Sequence, residues 1–232
     1  MGFAEAKTYN DLLLLFVALH TKVFQLRARL TCPDLDARHV ALRGIQEVIA
    51  GYYMGLHSMV FGRTEDQVVR SLGENNLTPD VACRMVENAW KLGLLTLYHF
   101  KIDVLFHNLL RALGRVPGRS FNRNSQDLLQ VVALPNQVAV EAPLRALTCM
   151  RNSLHNNGIH RNRSAAFNIG GMPYEFVENA PVQCASWQHI FCALDAACDT
   201  LESILLAPVI AALPPGIVDD FATEVLAGRA EE

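Results

Sequence analysis

Residues 151–158, Arg-Asn-Ser-Leu-His-Asn-Asn-Gly, are the densest group of polar residues in the chain, and they follow turns that are largely apolar. Arg151 and His155 are four positions apart, so on a helix they share one face and can act on one ligand. RNA cleavage by transesterification needs a group that moves a proton and positive charge for the phosphorane that develops. His155 and Arg151 would supply these without a metal.

The helix that carries this segment is predicted to open at Glu141 and Pro143 and to run to Asn156. Asn157 and Gly158 are typical of a left-handed helix stop. His155 would then lie in the last turn, where the carbonyl end of a helix favours a protonated imidazole. A protonated histidine beside an arginine suits an anionic phosphate.

Charge is distributed unevenly along the chain, although the net charge is only -3. Residues 1–110 are balanced, residues 111–163 carry eight basic and two acidic side chains, and residues 164–232 carry one basic and ten acidic ones. All eight bases of the middle part are arginines, whose planar fork fits phosphate. We therefore expect an anionic partner, RNA or DNA first. The predicted RNA contacts are Arg115, Arg119, Arg123, Arg161 and Arg163.

Hydrophobic periodicity predicts helices over most of the 232 residues. Residues 114–124, rich in arginine, proline and glycine, are expected to form an exposed basic loop. The predicted helices, besides the one described above, are 8–32, 36–60, 64–72, one from Thr78-Pro79 to 113 with a possible break near Gly93, 125–133, one from Ser186 to 206 or 213, and a short acidic terminal helix.

Residues 165–177 are predicted to form the one β-hairpin, with Gly170-Gly171 as its turn, inside an insertion over about 163–184. The sequence thus predicts a single all-α domain over residues 1–232. It is a bundle of about six to eight helices with a small β-hairpin insertion before the last long helix.

At Arg151, Asn152 and His155 the sequence resembles the HEPN superfamily, all-helical proteins many of which are metal-independent endoribonucleases of toxin and defence systems. The family pattern is an arginine, a polar residue that is often asparagine, and a histidine, usually with four to six residues between arginine and histidine; here there are three. The resemblance implies a ribonuclease, of the toxin or anti-phage type, in which His155 is the general acid or base, Arg151 stabilises the phosphorane and Asn152 orients a phosphate oxygen or the histidine. It also implies a homodimer in which two motifs line one cleft.

Amino-acid composition bears on whether the chain is ordered, spans a membrane and lies in the cytoplasm. With 51% hydrophobic residues and a mean hydropathy of +0.17, the chain is too apolar to be disordered and is expected to bury a subunit interface. Its longest apolar runs, 12–19 and 204–213, fall short of a membrane span. The six cysteines form no CxxC pair and read as core thiols, so we expect a cytoplasmic protein without metal or cofactor.

Three alternatives stay open. Arg151 and His155 could be an end-of-helix cluster that caps carbonyls and pairs with the acidic C-terminal part. The chain could be a non-catalytic interaction or regulatory protein, like an immunity protein or antitoxin. Residues 64–104 could form a winged helix that binds DNA through Arg84 and Lys91.

Overall fold

The structure is a computed structural model that describes residues 6–61 and 78–219. Over these ranges it has seven helices and one antiparallel pair of strands, so the prediction of an all-α bundle with a small hairpin before the last long helix is confirmed. The elements are α1 (Ala6–Ala28), α2 (Ala37–Phe61), α3 (Pro79–Ala112), α4 (Phe121–Val132), α5 (Gln137–His155), β1 (Ala165–Ile169), β2 (Met172–Phe176), α6 (Trp187–Leu205) and α7 (Pro208–Ala211).

The core forms where α1, α2, α3, α5 and α6 turn apolar stripes toward one another. In α1 the buried residues follow three- and four-residue steps, from Leu12 through Phe16 to Leu26. Phe16 meets Phe191 of α6 edge to face, with ring centroids 4.8 Å apart. No helix in the two described ranges combines the length and apolarity needed to cross a membrane.

Helix α3 is continuous through Gly93, so the predicted helix is found without the possible break near that residue. The glycine serves close packing: a Cβ at this position would lie 2.0 Å from Oη of Tyr52 on α2. Gly55 has the same role on α2, since its Cβ would lie 2.6 Å from the Trp90 ring. Tyr52 and Trp90 meet edge to face at 5.3 Å between these two glycines.

The continuity of α3 also removes the strand that the winged-helix alternative needed, because residues 98–104 are helical. Lys91, one of its expected DNA contacts, is only 8% exposed and pairs with Glu87 at 2.5 Å. Tyr98 and Ile102 lie on the buried face of α3, whereas Phe100 is 45% exposed, so the three residues do not share one face as a strand would require. The predicted helix 64–72 lies outside the described residues.

Helix ends differ from prediction at several places. Helix α1 ends at Ala28 rather than at residue 32, because the Arg29 and Leu30 amides donate to carbonyls only three residues back. The basic loop ends at residue 120, because Ser120 Oγ accepts from the Arg123 amide at 3.4 Å and begins α4 four residues early. Helix α5 begins at Gln137 and contains Pro143 in its interior. The last long helix ends at Leu205, with a separate short α7 after it. Its predicted Ser186 cap is confirmed by the bond from the His189 amide at 3.3 Å. The terminal acidic helix lies beyond the described part.

The hairpin pairs β1 and β2 with Ala165 opposite Phe176 and Ile169 opposite Met172. Gly170 and Gly171 make its two-residue turn with φ of 57° and 80°, values that favour glycine. The chain enters and leaves this insertion at one place: Ile159 bridges Pro181, and the Val182 amide donates to the Gly158 carbonyl at 2.8 Å.

A buried ion pair fixes the end of the described chain. Asp36 and Arg38 are 0% and 4% exposed. The Asp36 carboxylate accepts from Arg38 Nε and Nη2 at 2.8 Å, and from the amides of Gly216 at 2.9 Å and Ile217 at 3.1 Å. Burial raises the pKa of Asp36, but the hydrogen bonds from Arg38 and Ile217 outweigh it and hold that pKa at about 2. The pair ties residues 216–217 to the start of α2.

Candidate functional site

The last turn of α5 presents two different faces. Arg151, Asn152 and His155 point outward to different degrees, whereas Ser153 is fully buried. The helix ends at His155, and Asn157 and Gly158 follow with φ of 55° and 80°, so the predicted left-handed stop is confirmed.

Arg151 is partly buried and held in place by two neutral acceptors. Its Nε and Nη2 donate to Asn152 Oδ1 at 3.2 and 2.8 Å. Its Nη1 donates to Nδ1 of His99, on α3, at 3.0 Å. Three of the five N–H groups of the guanidinium are thus engaged, and one N–H remains on each terminal nitrogen. These two donors can hold two oxygens of a phosphate.

His99 is the buried support of this arginine. Because a guanidinium only donates, Nδ1 of His99 accepts and the ring proton lies on Nε2, 3.2 Å from Thr148 Oγ1. The Thr148 hydroxyl in turn donates to the Leu144 carbonyl at 2.9 Å. Burial, and then the charge of Arg151, lowers the pKa of His99 to about 3. The imidazole is therefore neutral at physiological pH.

The positive charge of Arg151 has no carboxylate within ion-pair distance anywhere in the described ranges. Burial lowers its pKa, and the more distant charge of Asp103 opposes that effect. The guanidinium stays protonated in proteins, so α5 carries a cation whose neighbours are neutral. Among the described residues, Arg151 therefore does not pair with the acidic C-terminal part as the helix-end alternative expected; four of the ten acids of that part lie beyond residue 219.

Two histidines lie within ten residues after Arg151, and only one of them is accessible. His155 is exposed and makes no hydrogen bond with the described residues. His160 is fully buried, with Nδ1 3.1 Å from Ser153 Oγ, and its Nε2 donates to the Arg163 carbonyl at 3.1 Å. The structure thus leaves His155 as the histidine that a ligand on Arg151 can reach, since the Cβ atoms of residues four apart on a helix are about 6 Å apart.

Helix α4 joins the basic loop to this site. Phe121 packs on His99 with ring centroids 3.9 Å apart. Asn124 accepts from the Gly118 amide at 2.7 Å and donates to Asp103 at 3.4 Å, which ties the loop to the face of α3 that holds Arg151. Arg115 and Arg119, on this loop, are exposed.

The other predicted RNA contacts are also exposed, but they carry weak bonds of their own. Arg123 lies 3.6 Å from Asp127, one turn along α4. Arg161 donates to Asn179 Oδ1 at 3.3 Å, across the base of the hairpin. Arg163 uses its carbonyl to hold His160. Arg161 and Arg163 belong to the segment between α5 and β1, whereas Arg115, Arg119 and Arg123 belong to the basic loop and to α4, so the five arginines fall in two separate stretches of the chain.

The acids of α6 pair with α1 rather than with the arginine-rich part. Lys22 lies 2.9 Å from Asp195 and 2.8 Å from Asp199, and Arg29 pairs with Glu202. Cys149, near the motif, is mostly buried, and burial raises its pKa to about 11, which keeps the thiol protonated. Across the described ranges no three His, Cys, Asp or Glu side chains group as a metal ion requires.

The sequence did not identify His99 as part of the site. A signal was present, because His99 and Asp103 are four apart and therefore share one face of their helix. What the sequence could not give is that this face meets Arg151.

Comparisons with protein-family models, with curated proteins and with solved structures find no match.

Proposed function

We propose that this protein is a metal-independent endoribonuclease of the HEPN type. The observation that carries the proposal is the state of Arg151: a partly buried cation, held rigidly by Asn152 and His99, with one N–H free on each terminal nitrogen. Such a group is prepared for an anion before the anion arrives, which is the arrangement that stabilises charge developing in a transition state.

In the proposed reaction, the free N–H groups of Arg151 hold the non-bridging oxygens of the scissile phosphate. His155 takes the proton of the 2′-hydroxyl as that oxygen attacks phosphorus, and the protonated imidazole gives the proton to the 5′-oxygen as the P–O5′ bond breaks. The products are a 2′,3′-cyclic phosphate and a free 5′-hydroxyl, so no water and no metal enter this step. Asn152, whose oxygen is occupied by Arg151, acts as a positioning residue.

The basic loop supports RNA as the substrate. Arg115 and Arg119 are exposed and lie on a segment tied to α3 through Asn124. A chain of phosphates crossing Arg151 would continue along these guanidinium groups, which contribute affinity without sequence preference.

The resemblance to HEPN proteins further supports a homodimer and a toxin or anti-phage role, and the cysteine usage supports a cytoplasmic location. Exposed apolar side chains along one face of α1 add to the argument for a dimer: Leu14, Val17 and Phe24 are 66%, 47% and 57% exposed.

One observation favours a second candidate, a non-catalytic helical interaction or regulatory protein. General acid–base catalysis relies on a positioned group, and no described residue hydrogen-bonds to His155. In this candidate Arg151 and the basic loop bind an anionic partner without cutting it.

The test is RNA cleavage in EDTA by the wild type, Arg151→Ala and His155→Ala, with the product ends analysed for 2′,3′-cyclic phosphate. Arg43→Ala, which removes a cation from α2, is the matched control. Cleavage by the wild type and control, lost in both site variants, supports the ribonuclease. Intact RNA with all four folded proteins rejects it, and RNA binding that still needs Arg151 would then favour the regulatory protein.

A further inference from the structure

A cavity of about 560 Å³ lies next to the site, between α3, the turn after α5 and the segment that enters α6. Asn88 lines it from α3, Asn157 from the turn and Gln183 from the segment before α6. We call it the amide pocket after these three side chains. Its volume is within the range of small-molecule sites in proteins.

The three amides are unengaged. Asn88, Asn157 and Gln183 are exposed and their side chains make no hydrogen bond with any described residue. Each offers an acceptor oxygen and two N–H donors to whatever enters. Leu92, Leu154 and Val182 also line the pocket and add apolar surface to it. A ligand with flat apolar faces and a polar edge fits this combination.

The pocket is electrically neutral. Lys91 is its lining cation, and it is paired with Glu87 at 2.5 Å and lies 5.5 Å from the centroid of the Trp187 ring. Its charge is therefore already compensated, and no carboxylate lines the described cavity. A phosphate would find no free cation here, whereas Arg151 offers one nearby. The amide pocket is suited to a neutral heterocycle.

We propose that the amide pocket binds an unstacked nucleobase of the RNA, next to the phosphate held at Arg151. Leu154 directly precedes His155 and Asn157 lies two residues after it, so a nucleotide that follows the scissile phosphate can place its base against these two lining residues. Side-chain amides recognise base edges by paired donor and acceptor contacts, and single-stranded RNA is read in this way. The position beside the cut rests on the proposed function; the binding of a base does not.

The test uses nucleosides, which lack phosphate, titrated into the isotope-labelled full chain and followed by NMR. Adenosine, guanosine, cytidine and uridine are compared. One of them is expected to shift the backbone amides of Asn157, Gly158 and Gln183 more than the others do. The double variant Asn88→Leu/Gln183→Leu is expected to weaken that binding about tenfold or more, because paired base-edge contacts are lost. Gln130→Leu, an exposed amide on α4, is the control and should change nothing.

Absence of any nucleoside effect at these amides, up to the solubility limit, overturns the proposal. So does binding that the double variant leaves unchanged. Nucleoside binding by a protein that does not cut RNA keeps the pocket and rejects the ribonuclease. RNA cleavage without nucleoside binding, and with the same base preference at the cut in the double variant, rejects the pocket and keeps the ribonuclease.

Discussion

Arg151 on α5 donates to the neutral imidazole of His99 on α3, across 3.0 Å. The bond joins a cation to a buried ring that cannot take a proton at neutral pH, and it fixes the guanidinium from the protein side. The orientation of Arg151 therefore depends on a residue 52 positions away in the sequence.

Replacing His99 should slow the proposed reaction, although Arg151, the group that touches substrate, is still present. In His99→Phe the packing on Phe121 is kept but the acceptor for Arg151 Nη1 is lost. We expect kcat for RNA cleavage to fall about 10- to 100-fold, with a smaller change in KM, because a misplaced catalytic cation costs mainly transition-state binding. Partial rescue by His99→Gln, which restores an acceptor, separates positioning from a loss of fold. His107→Gln on the same helix is the control.

The same histidine should make the fold sensitive to mild acid. The pKa of His99 is about 3 when folded and near 6.5 when unfolded, so between these values the unfolded chain binds more protons. Its contribution to stability is complete above pH 6.5 and is lost as the pH falls toward 3, at up to about 1.4 kcal/mol per pH unit. Urea unfolding at pH 7, 6 and 5 measures this slope. An equal slope in His99→Gln would contradict the assignment to His99.

The Asp36–Arg38 pair should contribute strongly to stability. In Asp36→Asn the buried guanidinium loses its counter-charge, and an amide N–H can face the amides of Gly216 and Ile217. We expect the free energy of unfolding to fall by about 3–5 kcal/mol. Asp34→Asn, at a carboxylate that is 78% exposed, should have almost no effect.

Acid should act on this pair in a lower pH window than on His99. Because the folded pKa of Asp36 is about 2, below its ordinary 3.8, its contribution is present above pH 4 and disappears as the pH falls toward 2.

Two helical glycines should respond in opposite directions to alanine. Gly93→Ala brings a Cβ to within 2.0 Å of Tyr52 Oη and should destabilise the fold by about 1–3 kcal/mol. Gly51→Ala, which meets nothing within 4 Å, should stabilise it by about 1 kcal/mol. Thermal unfolding compares them, and adding Tyr52→Phe should recover most of the loss at Gly93. If it does not, the clash with the hydroxyl is not the cause.

The basic loop should determine part of the salt dependence of RNA binding. If Arg115 and Arg119 each contact a phosphate, Arg115→Gln/Arg119→Gln should reduce the slope of log K against log salt by about 1.4, at about 0.7 per contact to a single strand. Arg27→Gln/Arg43→Gln removes the same charge elsewhere and should leave the slope unchanged.

Much of the fold could be predicted from local sequence, because helix stops and turns depend on neighbouring residues. Asn157-Gly158 and Gly170-Gly171 were read correctly for this reason. Gly93 was misread as a possible break, since its purpose is contact with Tyr52 on another helix. The polar group at Arg151 could be found by spacing, but its support could not, because nothing local to 151 indicates that His99 faces it. The role of Gly93 and the support of Arg151 both depend on contacts between helices that are distant in the sequence.

The bond between Gly158 and Val182 joins the two ends of the insertion, so changes in the hairpin need not move the end of α5. An inserted segment whose first and last residues are bonded to each other can lengthen, shorten or change in sequence while the distance between those residues stays the same. Relatives of this protein can therefore be expected to vary most in size between these two residues, with the end of α5 unmoved. A tag or reporter domain placed at the Gly170-Gly171 turn would use the same tolerance.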